Sequence, residues 1–144
     1  MQNISRSQVI SNHIHMVANT EAPFELEDVM RDFKKFTSKK ILQQIINEPE
    51  SRRDWMLKIF EEEAEKSKKH KSYKFWKVGS HAIELFSEKF VYQKINDIHE
   101  NPVKAGLVKN AEEWIYSSAS NYHNQESVLE VVKCERLSRI SNPA

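Results

Sequence analysis

The chain has 144 residues, 39% of them hydrophobic and 30% charged, with a formal net charge of +1. That allows a single core of ordinary size, and it excludes nucleic-acid binding driven by bulk charge, so any such binding has to come from local patches. Two glycines exclude a glycine-rich phosphate cradle, and one cysteine, Cys134, excludes an internal disulfide and fits a reducing, cytoplasmic setting.

Residues 8–18 are apolar and β-branched around His13-Ile14-His15, which predicts a strand. Strand side chains alternate faces, so His13 and His15 project from one side and Ile14 from the other. Two imidazoles on one face are a pair of nitrogen ligands for a divalent metal. Two polar residues on the wet face of a strand is the plainer reading, and both stand at this point.

Residues 20–23 form a turn. From residue 24 to 47, Leu26, Val29, Met30, Phe33, Ile41, Leu42, Ile45 and Ile46 recur at helical spacing. Arg31, Lys34, Lys35, Ser38 and Lys39 fall largely on the other side. They are either a solvated face or a phosphate-contacting stripe. Pro49 ends this helix. Ser51 and Asp54 have the spacing of a capping box, which predicts a second helix carrying Trp55, Met56, Ile59, Phe60 and Ala64. The charged run over residues 61–71 includes Lys66, Lys68, Lys69, His70 and Lys71. It is a solvated segment that also offers cations to phosphates.

Residues 73–86 are aromatic-rich and extended. Phe75 and Trp76 fit a core or a base-stacking role. Ser87 is an N-cap candidate for a helix running to about Glu100, with Val91, Ile95 and Ile98 as its buried stripe. Asn101-Pro102 is expected to stop it, because proline pushes the preceding residue out of the helical region. Asp97 and Asn101 are four apart and share a face. Residues 114–122 read as packing. No apolar run is long enough to cross a bilayer, and no secretory signal opens the chain.

Four segments occur in a telling order: Ser11-Asn12-His13-Ile14-His15, Arg31-Asp32-Phe33-Lys34-Lys35-Phe36-Thr37-Ser38, Ile95-Asn96-Asp97-Ile98-His99-Glu100-Asn101-Pro102-Val103-Lys104-Ala105-Gly106-Leu107-Val108, and Glu113-Trp114-Ile115-Tyr116-Ser117-Ser118-Ala119-Ser120-Asn121-Tyr122. Together they resemble the REP-associated tyrosine transposases, which are single-tyrosine HUH endonucleases. The resemblance runs from about Val9 to Tyr122.

The resemblance implies an α+β fold, a ferredoxin-like palm with an antiparallel sheet and helices on one face. It implies a transposase-like domain over residues 1–122 and a polar tail over 123–144. It also implies Mg or Mn held by His13, His15 and Asn101, and single-stranded or hairpin DNA as partner. Arg31, Lys34, Lys35, Lys39, Lys68 and Lys69 would be the DNA contacts. The family reaction is cleavage of single-stranded DNA by a tyrosine that stays joined to the 5′ phosphate.

Two departures accompany the match. The family's nucleophilic tyrosine position holds Asp97. Twelve residues precede His13, too few for the strand and helix that the family carries there. The expectation is a shortened, catalytically impaired relative, with an open sheet edge inviting aggregation or a homodimer. The alternatives are a non-catalytic DNA-binding remnant and a metal-dependent nuclease that uses water.

Overall fold

A computed structural model of the chain describes residues 2–10, 12–67 and 72–133, the first group by its backbone alone. The chain divides into two compact units, one of Met1–Leu26 with Ile83–Ala144 and one of Glu27–Ala82. The described residues are a mixture of helix and strand, α+β at that level.

The first unit opens with strand β1, Gln2–Ile10, followed by strand β2, His13–Thr20. They pair antiparallel, with Ile10 opposite His13, Val9 opposite Ile14 and Gln8 opposite His15. The register slips once, between Ile4 and Arg6. The single strand expected over residues 8–18 is therefore two strands. The apolar residues on both sides concealed the break, but asparagine is a turn former, and Asn12 lies in the turn.

Helix α3, Glu88–Lys104, packs against both strands. (Helix α1, Leu26–Asn47, lies in the second unit from Glu27 onward, and helix α2, Arg53–Glu65, lies wholly within it.) Ser87 caps α3 as expected, its hydroxyl accepting from the Phe90 N–H at 3.2 Å. Ile95, Ile98 and Pro102 are buried along its inner side. Removing each isoleucine from water contributes roughly 1.5–3 kcal/mol.

The expected stop at Asn101-Pro102 is not where α3 ends. Pro102 lies inside the helix and is almost fully buried. The end is closed beyond it: the Ala105 N–H donates to the Asn101 carbonyl at 2.9 Å, and the Leu107 N–H to the Pro102 carbonyl at 2.9 Å. Burial of the ring and these closing bonds outweigh the local bias against helix before proline. Gly106, at φ +69, lets the chain turn away.

A single 3-10 turn, Ala111–Glu113, and a short helix α4, Ala119–Tyr122, follow. The Glu113 carboxylate accepts from the N–H groups of Lys109 and Asn110 at 3.0 and 3.1 Å and from the Asn110 side-chain amide at 2.9 Å. The Asn121 amide holds the next stretch by donating to the Leu129 carbonyl at 2.9 Å.

In the second unit, Arg53 joins the two helices. Its Nε donates to the Ile45 carbonyl at 2.8 Å and its Nη2 to the Glu48 carbonyl at 2.5 Å, so the start of α2 caps the end of α1. The expected Ser51–Asp54 capping box is not formed. The N-cap residue of α2 is Arg52, with no side-chain cap bond. Glu50 takes the free donor instead, accepting from the Arg52 N–H at 2.9 Å and its Nε at 3.2 Å.

Phe75 and Trp76 are packing residues, matching the core alternative. Trp76 lies against Phe33 and donates its indole N–H to the Thr37 hydroxyl at 3.0 Å, while Phe75 packs against Phe60. Ile45 is buried, whereas Trp55 is 62% exposed despite its place in the apolar stripe of α2.

Candidate metal and nucleic-acid site

His13 and His15 are both exposed on β2, with Ile14 half-buried between them. Strand alternation puts the imidazoles side by side: their ring centroids are 6.2 Å apart and their planes differ by 10°. His13 Nδ1 lies 2.6 Å from the Asn12 amide oxygen. With that oxygen accepting, Nδ1 carries the proton and the lone pair is on Nε2. Such a partner on the far ring nitrogen is how metal-binding histidines are oriented.

Asp97 and Asn101 lie one turn apart on α3, the helix packed on this hairpin. Asn101 is half-buried. Asp97 is partly exposed, and its carboxylate lies 3.6 Å from the Lys94 ammonium. His13, His15, Asp97 and Asn101 thus all come from the first unit, on two elements in contact.

Among the described residues, no cluster of three or more histidine, cysteine, aspartate or glutamate side chains is placed to hold a metal. The donors available are the two imidazoles on β2 and, on the helix packed against that hairpin, the Asn101 amide oxygen. That set suits a divalent ion of the manganese kind, which takes nitrogen and oxygen together and fills its shell with water or phosphate oxygens.

His99 follows Asp97 in the motif but serves packing. It is buried, its Nε2 is 2.9 Å from the Ser118 hydroxyl, and its ring is tilted against Tyr122 at 5.5 Å. The Ser117-Ser118 segment is likewise buried. Two motifs far apart in sequence are thereby joined in the core.

The expected DNA-contacting residues belong to the second unit. Arg31, Lys34, Lys35 and Lys39 lie on α1. Arg31 is ion-paired with Asp28 and Asp32, and Asp28 foremost raises its pKa. Lys34 donates to the Gly79 carbonyl at 3.2 Å and the Ser80 hydroxyl at 3.0 Å. Lys35 and Lys39 are exposed. Two of the four cations are therefore already engaged within the chain. Lys68 and Lys69 lie outside the described residues.

Spacing arguments passed over Phe86, Phe90 and Lys94. Phe86 is 83% exposed and lies 5.7 Å from Phe90, ring centroid to ring centroid. Lys94 is three residues before Asp97 and Phe90 four before Lys94, so the helical period carried the signal.

No family model matches the chain, and no curated protein or solved structure matches it either. Among the described residues, no helix is long and apolar enough to cross a membrane.

Proposed function

We propose that the chain is a relative of the REP-associated tyrosine transposases that binds single-stranded or hairpin DNA beside a divalent metal. The observation that carries this is the pair of exposed, parallel imidazoles of His13 and His15 on a hairpin against which α3, bearing Asp97 and Asn101, is packed. The order of the four sequence motifs supports the same reading. The hairpin and α3 would form part of a ferredoxin-like palm.

His13 and His15 would hold Mn or Mg, with the Asn101 amide oxygen as a further ligand. When bound, the ion withdraws charge from a phosphodiester. Asp97 stands where the family has its tyrosine. A carboxylate attacking phosphorus gives an acyl phosphate that water destroys, so it does not preserve a bond for strand joining. Asp97 therefore favours binding without covalent strand transfer, either as a DNA-binding remnant or as a nuclease using water.

The test is a manganese titration followed by electron paramagnetic resonance. One site is expected, lost in both His13→Ala and His15→Ala and weakened in Asn101→Ala. Unchanged affinity in the two histidine variants removes the metal from the proposal.

A further inference from the structure

From one face of α3 we infer a stacking track for the unpaired bases of single-stranded DNA, built by Phe86 and Phe90 with Lys94, leading to Asp97 and Asn101. This rests on the DNA-binding reading above and gives it a path. Phe90, Lys94, Asp97 and Asn101 fall within an arc of about 60° at the ordinary helical rotation per residue. Phe86 lies just ahead of the Ser87 cap, and its ring stands beside that of Phe90, the first member of the row. The run from Phe90 to Asn101 covers about 16 Å of helix.

Each part has a distinct capacity. Phe86 is a large aromatic ring left 83% exposed, although Phe90 is beside it at 5.7 Å with the two planes tilted by 41°. A contact with Phe90 alone does not require that exposure. An open aromatic face accepts any base, because every base has a π-face. Phe90 is half-buried and supports Phe86 from within. The Lys94 ammonium stands 5.5 Å from the centre of the Phe90 ring and reaches Asp97 at 3.6 Å. A phosphate arriving here contacts the Lys94 ammonium in competition with the Asp97 carboxylate, and both groups are partly exposed.

The occupant is single-stranded rather than duplex DNA because stacking needs bases free of their partners. It is nucleic acid rather than an apolar peptide because the row passes from aromatic to cation to the carboxylate and amide of α3, the helix packed against the hairpin that bears the imidazoles. A peptide-binding stripe would continue apolar along the helix.

The experiment uses the full chain and fluorescence anisotropy at low salt. The probes are a short labelled oligothymidylate, an abasic strand of equal length and charge, the matching duplex, and an oligouridylate. The native chain should hold the oligothymidylate about tenfold more tightly than the abasic strand. Phe86→Ala should abolish that preference, and Phe86→Trp should keep it. Because Phe86 is exposed, neither change disturbs the core. Lys94→Gln should weaken the oligothymidylate and the abasic strand by the same factor.

Equal binding of base-bearing and abasic strands by the native chain, a preference for duplex, or an unchanged preference in Phe86→Ala overturns the track. A clear preference for the oligouridylate overturns the assignment to DNA. If manganese is not bound by His13 and His15 yet the Phe86 effect holds, the metal reading falls and the track stands. If manganese binds and Phe86 is silent, the track falls alone.

Discussion

The Lys94 ammonium lies 3.6 Å from the Asp97 carboxylate, one turn along α3. A tyrosine at position 97 would leave that cation for phosphate. On the proposed transposase reading, aspartate at this position changes two things together: it replaces a phenol that can attack and later leave, and it places an anion beside Lys94. Both charges are partly exposed, so the pair contributes little to stability and its effect is on binding. Asp97→Asn should tighten single-stranded DNA binding several-fold at low salt, with the gain shrinking as salt rises. Asp97→Tyr should yield a protein–DNA adduct on denaturing gels with hairpin substrate and manganese, where the native chain yields none. An adduct from the native chain, mapped by mass spectrometry to Tyr92 or elsewhere, would show that the nucleophile lies at another position.

The local features of this region were legible in the sequence. Strand alternation placed His13 and His15 on one face, and Ser87 capped α3, because both depend on residues only two or three apart. Features decided by packing were not. Pro102 stays helical because its ring is buried and Ala105 and Leu107 close the end beyond it. Arg53 caps a different helix from its own, which no capping pattern within α2 encodes. The hairpin was missed because Val9, Ile10 and Ile14 make one continuous apolar signal across its turn. Arg31 and Lys34 read as free cations in sequence, and only the three-dimensional arrangement shows their partners.

Those partners divide the basic residues of α1. Lys35 and Lys39 are exposed, Arg31 is ion-paired with Asp28 and Asp32, and Lys34 is bonded to Gly79 and Ser80. If α1 contacts phosphates, it does so first through Lys35 and Lys39. Substituting both with alanine should lower affinity for a hairpin with a single-stranded flank. It should also flatten the log-affinity against log-salt slope by about 1.4, roughly 0.7 per lost phosphate contact on single strands. Arg31→Ala should change the slope much less. An unaltered slope in the double variant assigns the α1 lysines to solvation.

The buried His99–Ser118 pair links α3 to the segment just before α4. Ser118→Ala leaves a buried imidazole nitrogen without that partner, and such a loss costs about 1–3 kcal/mol. Denaturant unfolding should show a destabilisation of that order, while manganese affinity stays as in the native chain, since His99 is not among the proposed ligands. A loss of metal binding with unchanged stability would reverse the roles given to His99 and His13.

The Glu113 carboxylate is held below the usual carboxylate range, first by the Asn110 backbone N–H, then by the Asn110 side-chain amide and the Lys109 N–H. The sign of the pH dependence follows. A carboxyl whose folded value is depressed stabilises the fold fully above its unfolded value, about 4.3, and loses that contribution as pH falls through the lower folded value. The Glu113 carboxylate is solvent-facing, so the contribution is modest. Glu50, held down by the Arg52 N–H, and Glu63, held down by Lys66, act in the same direction within the second unit. Glu113→Gln keeps the shape of the side chain but cannot titrate. The variant should be less stable than the native chain at neutral pH, and the two stability curves should converge as the solution is acidified below about pH 4.3. Parallel curves across that range would mean that Glu113 carries the same proton in the folded and unfolded chain, and that its bonds to Asn110 and Lys109 do not contribute to folding.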